Sequence, residues 1–159
     1  MDRFVMLPFW LADQRLAVTL DQVVRVLPAL QATPLPGAPE AVCGLVNVRG
    51  KLLPVVDLSR RFGWVSPAPG LWQPFIWLRS STRELLLPVE RVGSVCRGAA
   101  EDFVPAPDPR VPSNLLRGVL RTREGLLLIQ DVEQLLSDSD EVQLAALLTN
   151  DGRLADAAD

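Results

Sequence analysis

The chain has 159 residues, enough for one domain or two small ones sharing a core, and 48% hydrophobic against 22% charged residues excludes a disordered chain. It contains no histidine and no tyrosine, and its two cysteines, Cys43 and Cys96, lack CxxC spacing, which removes Ser-His-Asp and Cys-His catalysis and most zinc sites. The net charge of −3 is uneven: residues 131–159 hold eight acids and one base, residues 1–130 eleven acids and fifteen bases, so a mildly basic body ends in an acidic tail.

The first elements are strands. Residues 4–10, 15–20 and 23–27 are rich in Val, Leu and aromatics and are broken at Asp13 and Asp21. The opening MDRFVMLPFWLADQ lacks the layout of a signal peptide, and no stretch approaches the roughly 18 to 20 apolar residues of a membrane span, so a soluble cytoplasmic protein is expected. A proline-rich connection runs from Pro28 to Pro39. Strands at 44–49 and 52–57 then flank Arg49-Gly50-Lys51, expected as the turn of a hairpin with Gly50 supplying backbone freedom. Asp57 stands before LSRRF as a helix N-cap.

The second part follows the same plan. Strands are expected at 74–79, 84–89, 92–97, 116–122 and 125–130, with prolines from Pro105 to Pro112. Asp131 precedes VEQLL as a second cap, and Ser137 with Asp140 begins a C-terminal helix reaching about Leu148.

These parallels are a repeat. LAVTLDQVVRV from Leu16 lies over LLLPVERVGSV from Leu85 without a gap, 69 positions apart, with an acid matched at Asp21 and Glu90. Gly44 and Gly118 open two further similar hairpins, 74 positions apart. A unit of about seventy residues therefore occurs twice. Short strands with this punctuation indicate two small barrels or sandwiches packed together. Val18, Leu20, Val46, Val48, Leu53, Val55, Leu87, Leu120 and Leu128 are expected to supply much of the core. The two cysteines read as small buried hydrophobes, a disulfide being the alternative.

Neither GxGxxG nor a P-loop occurs, and Asp57 and Asp131 have a capping role each, so no enzyme is expected. A single-strand nucleic-acid binder stays open as another class, because such barrels pair a basic groove with stacking aromatics and Trp10, Trp64, Trp72 and Trp77 are available. Trp10 and Trp77 lie in apolar strand patterns, which favours packing for them.

GLVNVRGKLLPVVDL, read as G-x-x-N-x-R-G-x-x-x-P-V-x-D-L, resembles the signature of CheW-like domains, the coupling proteins of bacterial chemosensory arrays. FVMLPFWLADQRLAVTLDQVVRVL resembles the family's first strands, LLLPVERVGSV its middle motif and LRGVLRTREGLLLIQDVEQLL its closing strands and helix. The resemblance implies an all-β fold of two SH3-like five-stranded β-barrels on a shared core, with short helices at the C-terminus. The CheW-like domain would occupy 1–136, in halves 1–70 and 71–136, followed by a helix and acidic tail at 137–159.

It also implies a stand-alone adaptor that couples chemoreceptor tips to the histidine kinase CheA. Implied partners are the kinase's regulatory domain, the cytoplasmic tip of methyl-accepting chemoreceptors and other CheW-like proteins. Catalysis, cofactor, metal, nucleic acid and membrane insertion are not expected, and the place implied is the cytoplasm at membrane-associated receptor arrays. The partner-binding residues expected are Val23, Arg25, Gly44, Asn47, Arg49, Gly50 and Lys51. In the family, an acid that pairs with the NxRG arginine commonly stands where this chain has Arg25, so two arginines are expected to face one another here. This departure favours a divergent scaffold of a pilus or surface-behaviour array, binding kinase or other couplers but not receptors.

Overall fold

In the computed structural model, residues 3–64, 73–105 and 116–148 are described. The strands, in chain order, are β1 (Arg3–Leu11), β2 (Gln14–Thr19), β3 (Val23–Leu27), β4 (Val42–Val48), β5 (Lys51–Val56), β6 (Phe75–Arg79), β7 (Glu84–Pro88), β8 (Arg91–Val92), β9 (Cys96–Ala99), β10 (Phe103–Pro105), β11 (Leu116–Thr122) and β12 (Gly125–Gln130). Among the described residues two α-helices accompany them, α1 (Leu58–Phe62) and α2 (Asp138–Leu147).

The caps form as the sequence predicts. Asp57 Oδ1 accepts the Ser59 N–H at 3.0 Å and Asp131 Oδ1 accepts the Glu133 N–H at 3.1 Å. Ser137 and Asp140 exchange hydrogen bonds in a complete capping box. After Asp131, however, only a 3-10 turn (Val132–Gln134) forms rather than a helix. The strand expected at 92–97 is two pieces, because the chain passes Trp10 at Gly93, where a Cβ would lie 2.9 Å from the indole ring. Short β10 was not anticipated. Trp72, most of the second proline-rich stretch and the tail beyond Leu148 lie outside the described residues.

The strands form two sheets, one ordered β10-β11-β12-β2-β1-β8 with β9 also on β1, the other β3-β6-β7-β5-β4. Each is an SH3-like barrel, and the repeat halves and the barrels do not coincide. The barrel holding β3, β4 and β5 takes its hairpin β6–β7 from the second half, and the other barrel takes β1–β2 from the first. The exchange is symmetric down to single residues. Val55 pairs parallel with Leu86, and Ile129 pairs parallel with Ala17. Val55 and Ile129 are equivalent under the 74-residue offset, Ala17 and Leu86 under the 69-residue offset.

This exchange explains why the traded hairpins are apolar on both faces. On β1 and β2, Met6 and Ala17 face the interior of one barrel with Leu120, Leu127 and Ile129. Leu7, Phe9, Leu11, Leu16 and Val18, on the opposite face, enter a core shared by both sheets. On β6 and β7, Phe75 and Leu86 line the other barrel with Val46, Leu53 and Val55, while Ile76, Leu78, Leu85 and Leu87 enter the shared core. Leu58, Val132, Leu135, Leu144 and Leu148 close that core from the helical side. Fully burying one such Leu contributes about 1.5–3 kcal/mol, so the seam between the barrels is a main source of stability.

Of the expected core, Val18, Val46, Leu53, Val55, Leu87 and Leu120 are buried. Val48 and Leu128 are half-buried against it. Leu20 is a correction: it lies in the 3-10 turn Leu20–Gln22 that ends the strand early, and is 36% exposed. Cys43 and Cys96 are both free and half-buried.

Candidate functional site

The β4–β5 hairpin closes at Val48 opposite Lys51, so its loop is the two residues Arg49 and Gly50 rather than the expected three. Both have positive φ, 54° and 86°, the backbone that a right-twisted hairpin requires. Glycine adopts it freely, whereas Arg49 is held there at a cost. Asn47 offsets that cost by accepting the Gly50 N–H on Oδ1 at 2.8 Å. Gly44 opens the hairpin at a register shift, where a Cβ would stand 2.7 Å from the carbonyl oxygen of Thr33. Asn47, Gly44 and Gly50 of the expected partner-binding set thus shape the hairpin, and Arg49 is what its tip displays.

Lys51, the next residue, is paired. Its Nζ donates to Glu84 Oε2 across the parallel strands β5 and β7. Glu84 Oε1 accepts the Trp77 indole N–H at 3.1 Å and lies 3.5 Å from Arg79 Nη2. One carboxylate on β7 therefore gathers side chains from two other strands, β5 and β6. Burial alone raises the Glu84 pKa, but the hydrogen bond and charge of Lys51, with Arg79 and the indole, outweigh it and hold the group below the ordinary carboxylate range. Trp77 is half-buried against the barrel interior, as the apolar strand pattern suggested.

Arg25 is exposed on β3, and its cross-strand partner is Trp77. Arg25 and Arg49 do not belong to hydrogen-bonded neighbouring strands. β3 and β4 stand at the two ends of the strand order and are not hydrogen-bonded to each other. Val23 is half-buried, pairs with Leu78 and packs on the shared core. Among the described residues neither Arg25 nor Arg49 makes an ion pair.

Sequence reasoning missed Trp77, Arg79 and Glu84 as members of this site. The available clue was Glu84 itself, an acid opening the run ELLLP, whose repeat equivalent is Arg15. Cys43, on β4, donates to the Val55 carbonyl at 3.5 Å, and burial first, then Asp57, pushes its thiol pKa up. No group of three or more metal-ligating His, Cys, Asp or Glu is present among the described residues, and no helix described is long and apolar enough to cross a membrane.

Residues 6–140 match the family model of the CheW-like domain. The chain is 27% identical over 137 residues to "Chemotaxis protein CheW" of Rhizobium meliloti (strain 1021), covering 85% of this chain and 88% of that one. It is 26% identical over 137 residues to "Chemotaxis protein CheW" of Thermotoga maritima, at 85% and 89% coverage. A shorter similarity, 44% over 52 residues, links it to "Protein FrzA" of Myxococcus xanthus, a third of either chain. Among solved structures, the scaffolding protein TtCheW from Thermoanaerobacter tengcongensis superposes with a TM-score of 0.77 at 23% identity, over 88% of this chain and 92% of that one.

Proposed function

The chain belongs to the CheW-like family, and on that premise we propose that it is a non-catalytic adaptor of a bacterial chemosensory array. In this reading it joins the regulatory domain of a CheA-type histidine kinase to the cytoplasmic tip of chemoreceptors, at receptor arrays on the membrane. The observation that carries it is the extent of the family match, residues 6–140, including the whole hairpin that displays Arg49. Two barrels on one apolar seam offer separate faces rigidly held, which suits bridging two partners without chemistry. Val23, Arg25, Gly44, Asn47, Arg49, Gly50 and Lys51 are the proposed contact region, with Arg49 and Arg25 as its charged contacts and the glycines and Asn47 as its frame.

The test is a sizing column run with the regulatory domain of the cognate kinase, then with a cognate receptor tip. A stoichiometric complex with both supports the adaptor. No complex at tens of micromolar, together with tight binding of single-stranded DNA, overturns it in favour of a nucleic-acid binder.

Arg25 favours a second reading within the family, a scaffold for a pilus or surface-behaviour array. Where the resemblance to the family implies an acid, this chain carries an exposed cation. Binding of kinase or other CheW-like couplers with none to receptor tips supports this reading over the first.

A further inference from the structure

At the hairpin end of the barrel built from β3 to β7, one acid holds two cations, and two further cations stand on β3 and on the hairpin tip. Arg79 and Lys51 contact Glu84, Trp77 donates its indole N–H to the same carboxylate, Arg25 is paired across the strands with Trp77, and Arg49 stands on the adjoining tip. Resting on the adaptor reading above, we infer that this end is a docking surface for an acidic segment of a partner protein, and that Glu84 is the positioning residue that organises it.

Glu84 does two things there. It ties β5, β6 and β7 together at the base of the hairpin, so that Lys51 and Trp77 present one arrangement instead of many rotamers, which lowers the ordering cost on binding. Its single charge offsets one of the two carried by Lys51 and Arg79, and at this end Arg25 and Arg49 make no ion pair among the described residues. A guanidinium binds a carboxylate through two parallel hydrogen bonds, which a lysine cannot match. The surface thus offers two arginines that make no ion pair among the described residues, a residue type enriched where interface energy concentrates. A phosphate backbone fits less well. The Trp77 indole N–H is tied to Glu84 and its ring packs on the barrel interior, so it is not a stacking platform, and Glu84 places a negative charge beside Lys51 and Arg79.

The probe is a decaglutamate peptide, titrated into the intact chain by calorimetry at low salt, with a ten-residue oligothymidylate as the competing ligand class. Decaglutamate is expected to bind more tightly than the oligonucleotide, and Arg25→Glu and Arg49→Glu each to weaken it about tenfold. Glu84→Lys raises the positive charge of the surface yet is expected to weaken binding at least threefold, because Lys51 and Arg79 lose their partner and Trp77 its acceptor. Glu84→Lys combined with Lys51→Glu, which restores the pair in reverse, is expected to recover most of that loss, and unchanged far-ultraviolet dichroism shows that each variant is folded. Tighter decaglutamate binding by Glu84→Lys means that charge alone acts and removes the positioning role. Tighter binding of the oligonucleotide overturns the docking surface. Failure of the kinase domain and receptor tip to bind while these results hold counts against the adaptor reading alone.

Discussion

Glu84 on β7 and Arg15 on β2 occupy equivalent places in the two repeats, sixty-nine positions apart, and each pairs within its own barrel with an opposite charge at the hairpin of the other half, the partners Lys51 and Glu124 lying one position out of register. Glu84 holds Lys51 at the base of the β4–β5 hairpin. Arg15 lies 3.5 Å from Glu124 in the β11–β12 turn and donates to Thr122 Oγ1 at 2.8 Å. A duplicated framework therefore keeps a polar clasp at each hairpin while its two ends differ in charge.

The pair on Glu84 predicts a pH dependence. Because the folded pKa is depressed, the stabilisation is fully present above the unfolded carboxylate value near 4.5 and is lost as pH falls through the lower folded value. Lys51 is 43% exposed, so solvent screens the pair and Glu84→Gln is expected to cost only about 1 kcal/mol at pH 7. Denaturant melts of both proteins from pH 7 to 3 check this: the gap between them should close on acidification. A gap independent of pH would assign the effect to packing.

Gly44 and Gly118 open the equivalent hairpins, and each faces a carbonyl of the preceding segment, Thr33 O at 2.7 Å and Val104 O at 2.5 Å from a built Cβ. Alanine at either must displace backbone, with an expected loss of about 2–3 kcal/mol. Gly50→Ala meets no atom but forces φ of 86°, and about 1 kcal/mol is expected there. Thermal melts of the three single variants give the ranking; a harmless Gly44→Ala is incompatible with the close approach to Thr33.

Leu86 faces the barrel interior and is fully buried, whereas Leu20 is partly exposed on its 3-10 turn. Leu86→Ala is expected to cost about 2–5 kcal/mol and Leu20→Ala less than about 1 kcal/mol. Chemical denaturation of the two variants decides the point, and equal losses contradict this placement.

On α2 the same contrast appears within one helix. Leu144 is fully buried in the shared core and Val142 is 70% exposed. Arg83 Nε also binds Glu141 Oε2 at 2.7 Å, fixing the helix to the β6–β7 turn. Leu144→Ala should destabilise by about 2–4 kcal/mol and Val142→Ala by about 0.5 or less. Amide exchange over 138–147 provides a local check, since Leu144→Ala should speed it far more than Val142→Ala.

Much of this protein was written in short-range patterns. Most strand positions followed from apolar runs of five to seven residues, the caps at Asp57, Asp131 and Ser137 from local side-chain competition for backbone N–H groups, and the repeat from matched order. A turn around Arg49-Gly50-Lys51 was legible from Gly50, whereas its closure to two residues with Arg49 at positive φ was not. What only the tertiary structure decided was the pairing between distant strands. No local preference records that β6–β7 joins β3, β4 and β5 while β1–β2 joins the other barrel, because both hairpins are apolar on both faces and either exchange or its absence satisfies each segment alone. The site inherits that limit. Asn47, Arg49 and Gly50 are neighbours in the chain and could be read together, whereas Glu84, Trp77 and Arg79 join Lys51 only when β7 lies parallel to β5, a contact set by burial of the shared core rather than by any residue of the hairpin.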